Sequence, residues 1–341
     1  MTSPRTSLGL LVMFTGVALT GPAAAQTQQP PKQSKTAPKK KSRKLTGTQL
    51  AGRLAKFKED IAGKIIPMRL VKKGQRRMDK WLDRFQAVQS EHYIVFTNGP
   101  SLTVKRFAKS LEELYTYVGK QFPMDDVDHL LEAYIFNDKP EYLDFCVQIV
   151  GWTRDHAERS AGHACAKYYV TYYQSPKSAA VMHEATHQLV AANMKTTGVG
   201  SWFQEGMAVW VEKTILGDKP AAAMRTDLRN GDFYHLRDFI RIESLLMDDN
   251  GHGHRNYDHA GALIDFFIHA KHPKMNGKFN MFLRAARRNF ARGPEITERL
   301  FQRTYGMSVD EVEVAWALHH RVRNAKTRAE KLIEKKRRRG K

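Results

Sequence analysis

The order of the secondary-structure patterns constrains the fold of this chain more than any other feature. Three segments rich in β-branched and aromatic residues, 92–98, 130–136 and 167–174, are typical of strands, and an amphipathic helix over 104–122 separates the first two. Helical spacing of apolar residues precedes and follows this region. Before it, the spacing occurs at Leu50, Leu54, Phe57 and Ile61, and again at Met78, Trp81, Phe85 and Val88. The pattern predicts an α+β fold, with a small mixed sheet, a helical lobe after it and a helical extension before it.

Capping signals set the expected limits of the later helices. Ser175 followed by Pro176 predicts a helix start, and Gly198 lies where the chain is expected to leave that helix. Ser201 with Gln204, and Ser308 with Glu311, have the spacing of capping boxes. Two consecutive helices are therefore expected on either side of Gly198.

The two ends of the chain differ in composition from its middle. The 341 residues are 42% hydrophobic, which is enough for a core and excludes a chain that is disordered throughout. The formal net charge is +21, and basic runs stand at 39–44 and 335–339. We expect a disordered basic linker over 26–45, a helical segment over 46–90, a principal domain over 91–325 and a basic tail over 326–341. Such ends either bind an anionic surface or polymer, or are solvated without a dedicated partner.

The first 25 residues resemble a secretory signal peptide. Arg5 precedes an apolar run over 8–19, and Ala23, Ala24 and Ala25 form a small-residue cleavage site. The run is shorter than the ~20 residues that span a bilayer. We therefore expect an exported protein, periplasmic or secreted, without a transmembrane segment once the signal is cleaved.

Two cysteines, Cys146 and Cys165, are present in the whole chain. In an oxidising compartment they could form a disulfide, and otherwise they are two free thiols. The sequence leaves both states open, because it does not give the distance between their Cα atoms.

The sequence His183-Glu184-Ala185-Thr186-His187 lies inside a helical pattern. Residues four apart share one face of a helix, so both imidazoles can reach a single ion. Catalytic zinc takes three protein ligands and keeps one position for water, so a third ligand is required. Glu205, 18 residues beyond His187 and next to the small residue Gly206, is the expected third ligand. The pattern predicts one Zn²⁺ per chain. A carboxylate beside such an ion, here Glu184, is a natural general base.

The motif HEATH together with WFQEGMA, at 202–208, resembles the gluzincin metallopeptidases, and especially their compact thermolysin-like, peptidase MA-like members. The resemblance covers roughly 93–316 and implies a zincin-type helical lobe in which His183, His187 and Glu205 bind zinc and Glu184 is the base. It also implies that Tyr257 stabilises the oxyanion, with His252, His254 and His259 as rivals. One departure is informative: the strand motif that anchors the substrate amine in zinc aminopeptidases is missing upstream of His183.

That departure favours cleavage within a peptide over removal of a terminal residue. The resemblance implies an edge strand at 168–173, where Tyr169, Thr171 and Tyr172 would pair with an extended peptide. We therefore expect a zinc-dependent peptidase acting on peptides or proteins outside the cytoplasm. The alternatives are an inactive or zinc-stabilised binding protein that contacts anionic envelope polymers or nucleic acid through its basic ends, and a hydrolase of another amide.

Overall fold

Five strands form one mixed sheet in the computed structural model, which describes residues 45–68, 83–127, 129–173, 175–222, 224–230, 233–245, 253–288 and 293–322. Their order across the sheet is β1-β2-β3-β5-β4. The central strands β2, β3 and β5 are mutually parallel, and the two outer strands run antiparallel to their neighbours. The strands are β1 (Gln86–Gln89), β2 (Tyr93–Thr97), β3 (Leu131–Phe136), β4 (Gly162–Ala164) and β5 (Tyr168–Tyr172).

Twelve α-helices occur among the described residues, and most of them follow the sheet in the chain. They are α1 (Gly47–Met68), α2 (Ser101–Gln121), α3 (Lys139–Phe145), α4 (Arg154–Arg159), α5 (Ala179–Leu189), α6 (Ser201–Ile215), α7 (Arg225–Asn230), α8 (Leu236–Phe239), α9 (Gly253–His269), α10 (Phe279–Arg287), α11 (Pro294–Tyr305) and α12 (Val309–His319). A sheet followed by a helical lobe confirms the predicted α+β class.

Both faces of the sheet are buried. Along β2, Tyr93 and Val95 face the core shared with α2, α5 and the helical lobe. Ile94 and Phe96 face a second core beneath α1 and α3, where Phe57 of α1 stacks on Phe96 at 5.2 Å between ring centroids. Because both faces of β2 are buried, its residues from Tyr93 to Phe96 form a continuous apolar run. Helix α1 thus packs on the face opposite to α5.

Three local predictions are wrong. Val88 belongs to strand β1, not to a helix, because its segment pairs with β2. Pairing with a distant strand here outweighs the helical spacing of the local apolar residues. Helix α5 begins after Ser178, whose side chain accepts from the Val181 amide, instead of at Ser175. Helix α6 is capped by Gly200 at φ 126°, and Gln204 donates to the Thr197 carbonyl, so no capping box forms there.

The capping box at the start of α12 is confirmed. Ser308 accepts from the amide of Glu311, and the Glu311 carboxylate accepts from the amide of Ser308. The expected signal peptide, most of the basic linker and the basic tail lie outside the described residues. In the part of the chain that is described, no helix combines the length and apolar character required to cross a membrane.

Candidate metal centre

Helix α5 carries both histidines of the HEATH motif on one face. His183 and His187 are one turn apart, and their ring centroids are separated by 4.8 Å. The helix is fixed to the sheet by Gln188, whose amide nitrogen donates to the carbonyls of Glu132 at 3.0 Å and Lys167 at 3.3 Å. Gln188 is fully buried. Buried hydrogen bonds of this kind set the height and rotation of the helix over the sheet.

Helix α6 brings Glu205 to the two imidazoles. One carboxylate oxygen, Oε2, lies 3.1 Å from Nε2 of His183 and 3.2 Å from Nε2 of His187. One donor atom from each of the three residues lies within 4.8 Å of the others. Their side chains keep 13%, 17% and 19% of their surface exposed, so solvent reaches the cluster. Two imidazole nitrogens and one carboxylate that converge in this way fit the donor set of a catalytic zinc ion.

Glu212, two turns beyond Glu205 on α6, contacts the other side of the first imidazole. Its Oε2 lies 3.1 Å from Nδ1 of His183. A carboxylate only accepts hydrogen bonds, so both ring nitrogens of His183 are protonated while Glu205 and Glu212 flank them. When the ring loses one proton to bind a metal ion, Glu212 favours the proton on Nδ1, which leaves Nε2 as the ligand atom. A partner of this type holds a ligand imidazole in the correct tautomer and orientation. Sequence reasoning missed Glu212, although its spacing of seven residues from Glu205 places both on one helix face.

Glu184 lies under the edge of the sheet. A Cβ atom added at Gly162 of β4 would lie 2.8 Å from Cγ of Glu184, so the glycine permits β4 to pass directly against this side chain. Burial raises the pKa of Glu184, and the two imidazoles oppose that shift. A carboxylate with a raised pKa is a better proton acceptor than an exposed one when it is ionised.

Charge shapes the rest of the cluster. Burial lowers the pKa of His183, but the hydrogen bonds to Glu205 and Glu212 outweigh burial and raise it to about 10. Burial raises the pKa of Glu205, and the two imidazoles outweigh burial and hold it well below its usual range. The cluster therefore presents an ionised carboxylate where a cation would sit, which is the electrostatic requirement of a metal centre.

Tyr257 on α9 completes one side of the cluster. Its ring centroid lies 5.8 Å from that of His183. Burial raises the pKa of Tyr257, and the nearby carboxylates of Glu205 and Glu184 raise it further, so the phenol keeps its proton at neutral pH. The phenol hydrogen-bonds to the Glu205 carboxylate, so its single O–H donor is directed at the cluster.

A close crossing of α6 and α9 positions Tyr257. A Cβ added at Gly206 would lie 2.7 Å from the carbonyl oxygen of Ala260, and one added at Gly261 would lie 2.5 Å from Val209. Each helix thus contributes a glycine at the point where the other presses against it. Lys213 of α6 also donates to Asp258 of α9 at 2.6 Å. The helix that carries Glu205 and the helix that carries Tyr257 are therefore packed in direct contact.

The predicted substrate strand is not an edge. Strand β5 pairs with β3 on one side and with β4 on the other, and Tyr169 and Thr171 are buried at 0% and 1% exposure. The edge of the sheet on this side is β4, a strand of three residues, GHA, that has no β-branched side chain to mark it in the sequence. Tyr169, Thr171 and Tyr172 are therefore excluded as a strand to which a peptide could pair.

The rivals of Tyr257 are placed differently. His259 is 2% exposed and is stacked between Phe239 and Trp316, at ring-centroid distances of 4.0 Å and 4.9 Å. It belongs to the aromatic core of the lobe and not to the cluster. His252 lies outside the described residues, and His254 lies at the start of α9, where side chains are not described.

Both cysteines are free thiols, so the disulfide alternative is wrong. Cys146 is buried in a π-helical turn that continues α3, and Cys165 follows β4. Burial raises the pKa of Cys146 to about 12, so this thiol stays protonated and unreactive at neutral pH.

No known protein-family model matches the chain, and no curated protein matches it in sequence. Its function must therefore be inferred from the residues and geometry of the site.

Proposed function

We propose that this chain is a zinc-dependent peptidase that cleaves within peptides or proteins. The observation that carries the proposal is the convergence of His183, His187 and Glu205 within 4.8 Å of one another, with Glu184 on the same helical turn as His183. The three ligands leave a zinc ion one open position, which is the arrangement of catalytic sites and not of structural ones. A binding protein has no chemical need for a carboxylate between two ligands.

Zinc, when bound, would supply Lewis acidity, lowering the pKa of a coordinated water to about 7. Glu184 would accept a proton from the attacking water and return it to the leaving amine, as a general base and then a general acid. Tyr257 would donate its phenol proton in a hydrogen bond to the oxygen of the scissile carbonyl as negative charge develops there. Glu212 would keep Nδ1 of His183 protonated throughout.

The substrate would lie along β4. This strand forms the edge of the sheet, and Gly162 places its backbone directly against Glu184. An extended peptide that adds to the unpaired side of β4 would pass the cluster without needing a free terminus, which favours internal cleavage. The signal-like residues 1–25 further support action outside the cytoplasm.

Zinc content is the first measurement. Elemental analysis of the purified protein should give about one zinc per chain, and His187→Ala should lose it. The matched control is His269→Ala, because His269 is 57% exposed and outside the cluster. Folded protein that has never met a chelator and contains no zinc would overturn the proposal.

Peptide cleavage is the second measurement. A peptide library should be cut at internal bonds by the wild-type protein. Glu184→Gln should retain zinc and lose cleavage, because it removes the proton acceptor but no ligand. A zinc-loaded wild-type protein that cleaves no peptide would contradict peptidase activity and favour a zinc-stabilised binding protein.

A further inference from the structure

A cavity of about 700 Å³ lies at the far end of α6 from the metal centre. It is bounded by the last turn of α6 and the loop after it, by α7, by the last turns of α9 and by the end of α12. Thr214 of α6 is one of its lining residues. Thr214 is nine residues beyond Glu205, so about 13 Å of helix separates the two positions. The cavity is therefore a separate site from the His–Glu cluster.

Permanent positive charges dominate its lining. Lys219, Arg225, Arg229 and Arg321 all border the cavity. Within the described ranges, none of these four side chains has a carboxylate within ion-pair distance or a hydrogen-bond partner. Arg237, elsewhere in the lobe, is by contrast paired with carboxylates of α11 and α12. All four side chains are exposed, so solvent screens part of their mutual repulsion, and a bound anion would relieve the rest.

Two carboxylates also border the cavity, Asp218 and Asp265. Asp265 already accepts a hydrogen bond from Trp210 at 3.1 Å and lies 3.2 Å from Nδ1 of His269. Asp218 is exposed. Even with both carboxylates ionised, permanent positive charge is in excess.

The end of α12 adds two imidazoles and an unusual backbone. His319 and His320 line the cavity, and Nε2 of His320 is buried without a hydrogen-bond partner among the described residues. Arg321 follows at φ 55°, the left-handed region that costs a side-chain-bearing residue free energy. The chain thus turns sharply where it adds a guanidinium to the lining.

We propose that this cavity binds a small molecule that carries two or more phosphate groups. Its volume falls in the range of about 300 to 1,000 Å³ that is typical of small-molecule sites. Guanidinium groups bind phosphate oxygens through paired, charge-assisted hydrogen bonds. Arg225 and Arg229 of α7 and Arg321 after α12 approach the cavity from two segments, and this arrangement suits two phosphates better than one.

Calorimetric titration with inorganic pyrophosphate tests the proposal in about 150 mM salt, where loose surface attraction is screened. Saturable binding at one site per chain is expected, with inorganic phosphate at least tenfold weaker. Arg225→Ala/Arg229→Ala should raise Kd at least tenfold. Arg321→Gly should do so as well, and glycine accepts its backbone conformation without strain. Absence of saturable pyrophosphate binding to the folded wild-type protein would overturn the proposal.

Two controls distinguish binding in this cavity from general charge attraction and from binding at the metal centre. Lys105→Ala/Arg106→Ala removes two exposed charges from α2, and Kd should stay within twofold of the wild-type value; an equal loss in both double variants would show charge attraction only. His187→Ala should leave pyrophosphate binding unchanged, whereas loss of binding there would assign the signal to metal chelation at the cluster. Circular dichroism and Tm of each variant check that it is folded.

Discussion

His259→Phe should make the stability of this protein less sensitive to acid. Burial, with smaller contributions from the charge of Arg255 and from the neighbouring His320, lowers the pKa of His259 to about 3. The ordinary value of 6.5 applies in the unfolded chain. Between these two pH values the unfolded state binds one more proton than the folded state. The contribution of the neutral imidazole is therefore complete above pH 6.5 and is lost as pH falls toward 3.

The size of the effect follows from those two pKa values. Protonation of the unfolded imidazole between pH 7 and pH 5 removes about 2 kcal/mol from the free energy of unfolding, while the folded imidazole stays neutral. Phenylalanine does not titrate, and its ring keeps the stacking on Phe239 and Trp316. The substitution also removes the buried Nε2 of His259, which has no hydrogen-bond partner among the described residues. The variant should lose about 2 kcal/mol less than the wild-type protein over this interval.

Urea denaturation at pH 7 and pH 5 measures the difference directly, provided that the slope with urea is the same for both proteins. His259→Leu, which also lacks a titrating group, should behave like His259→Phe and guards against an effect of ring size. Equal losses in the wild-type protein and both variants would refute the assignment of this acid sensitivity to His259. That result would show that the imidazole is hydrated or partnered in solution.

Other predictions concern the metal centre and the helix crossing. Tyr257→Phe should retain zinc and lower the rate of peptide cleavage about 100-fold, because it removes one donor to the developing oxyanion; an unchanged rate measured at saturating peptide would contradict this role. Glu212→Leu should weaken zinc binding about 10- to 100-fold in a chelator competition titration, and Glu212→Gln, which keeps an acceptor, should recover most of the affinity; equal affinity in all three proteins would argue against orientation of His183. Gly261→Ala should cost about 1 to 3 kcal/mol of stability in thermal unfolding, with partial recovery when combined with Val209→Ala; additive losses would exclude a clash with Val209 as the cause.

Much of the fold was predictable because its elements have strong local patterns. The β-branched and aromatic run from Tyr93 to Phe96 favoured a buried strand, and the apolar spacing of the segments after 176 favoured helices. Two errors share one physical cause. Val88 lies in a strand because its segment pairs with β2, and β4 is an edge strand because it pairs with β5. The amino-acid composition of neither segment indicates this pairing.

The candidate site was predictable to the extent that it depends on helix geometry. The spacing of His183 and His187 fixes their common face, and the short distance along the chain to Glu205 made a second helix the natural source of a third donor. Tyr257 was predicted only from the resemblance to the gluzincin metallopeptidases. Its proximity to His183 depends on the crossing of α6 and α9, which the sequence does not reveal. Glu212 was missed because a surface-type carboxylate two turns along a helix has no distinguishing local signal.

The reciprocal glycines of α6 and α9 determine which parts of the cleft can vary. Because Gly206 and Gly261 lack side chains, Glu205 and Tyr257 stand on two helices in direct contact, which cannot move closer together without a steric clash. Helices α6 and α9 form one wall of the cluster. The opposite wall is β4, three residues joined to the sheet on one side only. Under the proposed peptidase function, attempts to redirect this protein toward new peptides should therefore diversify 163–165 and keep both helices and Gly162, whose lack of a side chain lets β4 pass against Glu184.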